Sequence, residues 1–489
     1  MRLPFDDTYA RLGEGFFARV RPTPVRAPAL VRVNRGLAAT LGLDADALES
    51  PEGVAILAGN GIPEGADPIA LAYAGHQFGR LVPQLGDGRA IMLGELVGTD
   101  GARRDLQLKG AGRTPFSRGG DGRAALGPVL REYVVAEAMA ALGVPTTRAL
   151  AAVTTGDPVL RDRPLPGAVL ARVAASHLRI GTFEYFAVRR DRERLAILVR
   201  YALARHYPDA AGTGEPALIL LERVLEAQAA LVARWLGIGF VHGVMNTDNV
   251  AISGETLDYG PCAFLDEYDP DKTFSSIDAH GRYAFANQPR IAQWNLARLA
   301  EALLPLIADE EEDAVRLAKE RLERFPSRFE AAHAAVLRAK LGLSRAEPED
   351  LALAERLLAL LARGAVDHTV FFRALCAAAA DPAADARSIA GPSAPSGLDD
   401  WLAAWRRRAT LEGVGPAARA AAMRAVNPAL IPRNHRIEQV IAAAEDGDLA
   451  PFARLVRALE RPYDDDPAYA DLADPPMPEQ RVTATFCGT

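Results

Sequence analysis

Apolar and polar positions change their period several times along this chain, and each change marks an element. Ala90–Val97 is a nearly unbroken apolar run of strand length between two turn signals, Gly86-Asp87-Gly88 and Thr99-Asp100-Gly101. Asp105–Lys109 alternates, with Leu106 and Leu108 on one face and Gln107 and Lys109 on the other. Leu130, Val134, Ala138 and Ala141 then recur at helical spacing and predict a helix over 128–142. Pro128 suits its first turn, and Gly143 and Pro145 stop it. Residues 168–174 read as a buried strand, 215–237 as a strongly apolar helix and 240–265 as strand, loop and strand. The stretches 287–377 and 399–460 are rich in Ala and Leu and read as helical. Residues 1–75 mix short apolar runs with Pro and Gly, which predicts an irregular extension with a few helices. Residues 381–398 read as a surface linker, and the tail beyond Arg461 as irregular.

Composition narrows the class. A chain of 489 residues, 49% hydrophobic and 24% charged, has room for two or three cores without disulfides or metals to hold them. A formal charge of -7 argues against a general grip on nucleic acid, which needs a basic surface, but leaves room for a local basic pocket. The three cysteines, Cys262, Cys376 and Cys487, have neither metal-ligand spacing nor the density of a secreted disulfide framework. Residues 1–7 bring acids early and no apolar run, unlike a secretory signal, and no stretch of about 18 apolar residues follows. The expectation is a cytoplasmic protein that binds neither membrane nor nucleic acid.

The order of the polar features carries the chemistry. A Gly turn between strands is followed by a strand lysine, Lys109, and then by a helix glutamate. After a long gap come Asp248-Asn249 and Asp258-Tyr259-Gly260. That is the layout of a protein-kinase core. A Gly turn lets backbone N–H groups approach phosphate, a lysine supplies compact positive charge, and a helix Glu holds the lysine in place. Asn and Asp offer hard oxygen ligands to Mg²⁺, and a nearby Asp can accept a proton from an attacking hydroxyl. The Glu is Glu132 or its competitor Glu137, and the sequence alone does not choose. One departure stands out. The loop His242-Gly243-Val244-Met245-Asn246-Thr247-Asp248-Asn249 has Gly243-Val244 where a kinase has Arg-Asp, so its acid is Asp248. His242 and His76 read as structural, and Cys376, in an Ala-rich helix, as core packing.

The strings FDDTYARLGEGFFARVRPTPV, YAGHQFGRLVPQLGDGRA, QLKGAGRTPFSRGGDGRAALGPVLREY, SHLRIGTFEYFA, HGVMNTDNVAI and LDYGPCAFLDEYDP resemble the signature blocks of the selenoprotein O family. The similarity runs from about residue 5 to Cys487. It implies an α+β fold of two kinase-like lobes: an N-terminal extension over 1–75, an N-lobe over 76–165 and a C-lobe over 166–380. The linker 381–398 and a helical extension with a cysteine-bearing tail over 399–489 would complete it. The resemblance implies an ATP-dependent protein adenylyltransferase that binds its nucleotide flipped, so that the α-phosphate faces a Ser, Thr or Tyr hydroxyl of a protein substrate. Family contacts to ATP carry over to Gly86, Gly88, Arg89, Lys109, Asp121, Gly122, Arg172, Arg179 and Asp258. The proton acceptor carries over to Asp248, and the ligands of Mg²⁺ or Mn²⁺ to Asn249 and Asp258. Cys487 fills the place of the family's C-terminal selenocysteine or cysteine. Residues 266–282 contain no partner cysteine for it, so a disulfide switch would need Cys262. The rival readings are transfer of UMP from UTP, an ordinary kinase, and an inactive nucleotide-binding scaffold responsive to redox through Cys487.

Overall fold

The apolar run at 90–97 and the alternating strand after it lie at the centre of a sheet. The computed structural model describes residues 1–212 and 214–486. Its strands are β1 (Phe17–Arg19), β2 (Ala29–Val33), β3 (Ile69–Leu71), β4 (Gly75–Gln77), β5 (Arg80–Val82), β6 (Ala90–Val97), β7 (Arg103–Lys109), β8 (Ala124–Ala125), β9 (Arg148–Leu160), β10 (Pro164–Ala174), β11 (Phe240–Val241) and β12 (Ala263–Phe264). Eight of them form one antiparallel sheet in the order β1-β3-β6-β7-β10-β9-β2, with β8 pairing onto β10. β6 is buried on both faces except at Val97, which explains a continuous apolar run where a half-exposed strand would alternate. In β7, Leu106 and Leu108 join the core beneath the helices Arg35–Thr40, Ala45–Glu49 and Pro51–Leu57. Gln107 and Lys109 therefore point to the opposite face, by the period of two.

The segment expected to be an irregular extension supplies three strands, β1, β2 and β3, to this sheet. They are three to five residues long, too short for alternation to be read against their Pro- and Gly-rich flanks. The helix expected over 128–142 runs from Leu126 to Ala141. It lies across the second face of the sheet, with Leu130, Val134 and Ala138 in the main core beside Ala149, Ala152 and Leu170.

Beyond β10 the chain is chiefly helical, built around the buried helix Pro216–Gly237 and its neighbour Gln288–Ile307. β11 and β12 form a two-stranded ribbon there. The sheet is antiparallel and most helices are segregated from it, so the fold is α+β. The segment 381–398, expected as a linker, contains the short helix Ala386–Ala390. Ala386 and Ile389 from it and Leu398 after it enter a C-terminal core with Trp401 and Trp405. Small residues there serve close packing, which composition alone does not distinguish from a turn-rich linker. The helices Asn434–Glu445 and Ala450–Leu459 return to the Leu126–Ala141 helix. Arg131 pairs with Glu438, and the Tyr133 ring meets Phe452 edge-on at 5.4 Å.

Candidate active site

Register brings the first charged groups together. β10 pairs with β7 so that Arg172 stands opposite Gln107 and Leu170 opposite Lys109. Lys109 Nζ donates to Glu132 Oε2 at 2.6 Å and to Asp258 Oδ1 at 2.9 Å. Arg172 donates to Glu132 Oε1 at 3.0 Å, to Asp258 Oδ1 at 2.6 Å and to Gln107 Oε1 at 2.6 Å. Glu132 is thus the lysine's partner. Glu137 faces away from it and accepts from Arg148 at 2.7 Å and from Asn34 at 2.7 Å.

Arg179 closes the cluster. One of its nitrogens donates to Asp258 Oδ2 and to the Asp248 carbonyl, each at 2.6 Å. Its guanidinium lies 4.5 Å from the centroid of the Tyr73 ring, a contact that favours a desolvated cation. Asp258 reaches this position from a left-handed backbone, φ 64°, in a turn closed by Gly260 N donating to the Asp258 carbonyl at 2.9 Å. A non-Gly residue held there costs about 1–3 kcal/mol, and such costs concentrate at functional sites.

The electrostatics follow from the count. Lys109, Arg172 and Arg179 oppose the carboxylates of Glu132 and Asp258, all of them largely buried. Burial alone would raise both acids. The charges of Lys109 and Arg172 outweigh it at Glu132, and at Asp258 those two with Arg179 hold the carboxyl well below the ordinary range. Lys109, Arg172 and Arg179 converge on Asp258 and Glu132, and a third carboxylate, Asp87, lies 3.8 Å from Arg179. Three cations held this close together are a set that phosphate oxygens can engage by charge-assisted hydrogen bonds, in exchange for part of their hold on the carboxylates.

Asp248 sits at the edge of this cluster in the short turn Thr247–Asn249. Burial pushes its carboxyl up to about 6, partly offset by Arg179. Its Oδ1 is buried and has no hydrogen-bond partner among the described residues, while Gln77 Nε2 lies 3.5 Å from Oδ2. A Cβ on Gly75 would stand 2.4 Å from that Oδ1, so a side chain at this point would collide with the carboxylate. Asn249 spends its amide nitrogen on the Val244 carbonyl at 3.0 Å, which leaves its own carbonyl oxygen for a cation. Asn249 and Asp258 carry oxygens of the kind that could hold Mg²⁺ or Mn²⁺, and both Asp258 oxygens accept from cationic side chains here.

Gly86 has φ 77°, and a Cβ there would stand 2.4 Å from the Phe116 ring; at Gly88 it would meet the Phe116 carbonyl at 3.0 Å. Between them Asp87 is buried. It accepts from Leu71 N at 3.1 Å and Gln107 Nε2 at 2.9 Å, and lies 3.8 Å from Arg179. Arg89 is half-buried at the start of β6, where its carbonyl accepts from Gly110 N at 2.7 Å. Asp121 is not drawn into the cluster: it accepts from Arg161 at 2.8 Å and from Arg123 N at 2.9 Å. Gly122 has φ 70° and packs against the Gly112 carbonyl. His242 is buried and donates from Nε2 to the Leu257 carbonyl at 2.9 Å. Cys262 is buried, and burial pushes its thiol up to about 12. Cys487 lies outside the described residues.

Three contributors escape sequence reasoning. Gln107 and Asp87 bridge Arg172 to the Gly turn, and Gln107 could have been found from its shared strand face with Lys109. Tyr73 beneath Arg179 gives no local signal. Nor does the third, a buried set in which His76 N donates to Thr247 Oγ1 at 2.7 Å, the Thr247 hydroxyl donates to Glu184 at 2.5 Å, and His76 Nδ1 pairs with Glu184.

A family described as "Protein adenylyltransferase SelO" matches residues 1–460. A "Protein nucleotidyltransferase YdiU" of Bradyrhizobium diazoefficiens is 59% identical over 490 residues, covering 100% of both chains. Proteins of the same description from Rhodopseudomonas palustris and Methylorubrum populi are 58% and 59% identical, covering 100% and 99% of both chains.

Proposed function

The chain belongs to the SelO family and is a nucleotidyltransferase, and from that premise we propose that it transfers AMP from ATP to Ser, Thr or Tyr hydroxyls of proteins. The observation that carries the reading is the gathering of three buried cations around Asp258 beside a carboxylate oxygen of Asp248 with no hydrogen-bond partner among the described residues. The first suits a polyphosphate, and the second a proton on its way from a hydroxyl.

In this reading the kinase-like arrangement is used with the nucleotide reversed. Lys109, Arg172 and Arg179 trade part of their hold on Asp258 and Glu132 for phosphate oxygens. Glu132, buried and fixed on its helix, keeps Lys109 and Arg172 in place. Asn249 and Asp258 would hold Mg²⁺ or Mn²⁺, which would offset the charge on the phosphate oxygens. Asp248 receives the acceptor's proton as the hydroxyl oxygen bonds to the α-phosphorus. The bond from that phosphorus to the α,β-bridging oxygen breaks, and pyrophosphate leaves. Asp121 and Gly122 belong to the nucleotide contacts carried over from the family. In the present structure Asp121 is committed to Arg161, so its part requires that ion pair to open.

The test uses the full chain with ATP labelled separately at the α and γ positions, with Mg²⁺ and with Mn²⁺, read by autoradiography and intact mass. Label retained from the α position only, with the mass of AMP added to protein, is the expected outcome. Label from the γ position would make the protein a kinase. UTP in parallel reports the base preference.

A further inference from the structure

Two stretches that lack carboxylates meet beside Asp248. Residues 72–86 include Arg80 and no Asp or Glu, and residues 279–300 include Arg282, Arg290 and Arg298 and again none, although the whole chain has a formal charge of -7. The fold brings both onto the loop that carries Asp248. Phe78 N and Tyr283 Oη both donate to Asn246 Oδ1, at 2.9 and 2.7 Å. His76 N and Gln77 from the same hairpin, β4–β5, reach Thr247 and Asp248. The Phe78 and Tyr283 rings meet edge-on at 5.2 Å, locking the hairpin to the 279–300 segment.

At the seam stands a cationic and aromatic cluster. The Arg282 guanidinium lies 4.7 Å from the centroid of Trp294 and 5.6 Å from that of Tyr283, and Arg298 covers Trp294 at 4.9 Å. The hairpin tip rests over Arg282: a Cβ on Gly79 would stand 3.8 Å from its guanidinium carbon. Arg298 has a carboxylate partner, Glu301, at 2.6 Å. Arg282 Nε and Nη2 are buried with no hydrogen-bond partner among the described residues. Asp278 accepts from the backbone N–H groups of Arg282 and Tyr283, at 2.9 and 2.8 Å, and the Arg282 guanidinium has no salt-bridge carboxylate among the described residues; such a group can take a carboxylate in a charge-assisted pair.

We infer that this seam is the acceptor-recognition surface and that it selects protein segments in which the hydroxyl residue is flanked by Asp or Glu. The inference rests on the reading of Asp248 as the residue that meets the acceptor hydroxyl, because the seam is placed relative to Asp248. An acidic segment would be anchored on Arg282, with Arg80 on the exposed strand of the hairpin as a second, weaker contact.

The experiment gives the full chain α-labelled ATP and two synthetic peptides with a single Ser, identical except that Asp and Glu flank it in one and Lys in the other. The acidic peptide should be labelled with kcat/KM about tenfold higher or more, the difference carried by KM and shrinking as salt is raised. Arg282→Glu should cancel or invert that preference. Arg80→Glu, at an exposed position where folding is not at risk, should move it in the same direction by a smaller factor. Equal labelling of the two peptides by the wild type, or a preference that neither variant alters, overturns the inference and leaves AMP transfer standing. Absence of α label from both peptides and from every protein acceptor overturns the transfer reading itself, and this inference with it.

Discussion

In the candidate active site, Lys109, Arg172 and Arg179 crowd against Glu132 and Asp258 at 2.6–3.0 Å. In the C-terminal cluster, Trp401 and Trp405 stack with centroids 6.1 Å apart, each giving its indole N–H to a backbone carbonyl, Leu353 at 2.8 Å and Leu341 at 2.9 Å. Both regions are buried, yet they hold opposite chemistry. The candidate site keeps charges whose partners are other charges, so the set can be rearranged by an incoming anion at modest net cost. The cluster keeps apolar surface whose only good partner is more apolar surface, and nothing a nucleotide brings would rearrange it. Charge enters this region too: Asp350 and Glu412 are paired with Arg408 at 2.7 and 2.6 Å, whereas the buried Lys340 has its amine 3.9 Å from the centroid of the Phe372 ring, and burial pushes it down to about 7.

The largest expected effect separates chemistry from stability. Asp258→Asn keeps the shape of the side chain but removes the charge that gathers Lys109, Arg172 and Arg179. Nucleotidyl transfer should fall by about 10²–10³-fold or more, the range seen when a preorganised charged contact is lost. Label transfer and the melting temperature, measured side by side, check it. Transfer at the wild-type rate would remove Asp258 from the site.

The converse is Trp405→Ala. The side chain is 1% exposed, and its removal should cost about 3–5 kcal/mol of stability. Below the new melting temperature, kcat/KM per folded molecule should stay unchanged. A matching loss of activity per folded molecule would couple the two regions and break the comparison.

The smallest effect concerns Lys340. Its folded-state value near 7 lies below the ordinary 10.5, so the unfolded chain binds the extra proton and stability rises with pH between those values. Lys340→Met should therefore raise the melting temperature most below pH 7. The gain should shrink through the window from 7 to 10.5 and vanish above it. A pH series of thermal melts decides, and a gain independent of pH would show that packing, and not charge, is responsible.

Local physics made part of this legible in advance. A strand of alternating period carries Lys109 with Gln107 on one face because side chains repeat every second residue, and the 3.6-residue period located the helix of Glu132 to within two residues at its start. The choice between Glu132 and Glu137 was not legible. Both lie on that helix, and only its placement across β9 and β10 turns one toward Lys109 and the other toward Arg148. β1, β2 and β3 were missed because strands of three to five residues carry too few positions for a period, and pairing defines them. The short helix at 386–390 was missed because Ala, Pro and Ser in a row describe a linker and a tightly packed bend equally well.

By itself, the sequence determined the chemistry available here: which residue types occur, in what order, and the family to which their long blocks belong. Those are properties of neighbours along the chain, where periodicity and motif spacing act. Only the tertiary structure decided which charges meet. Asp258 reaches Lys109 across 149 positions, and Tyr283 reaches Asn246 across 37. Such contacts are set by strand register, by a left-handed turn at Asp258 and by a hairpin laid over Asp248. None of these leaves a local trace in the chain, because burial and long-range pairing settle them once the whole core has formed.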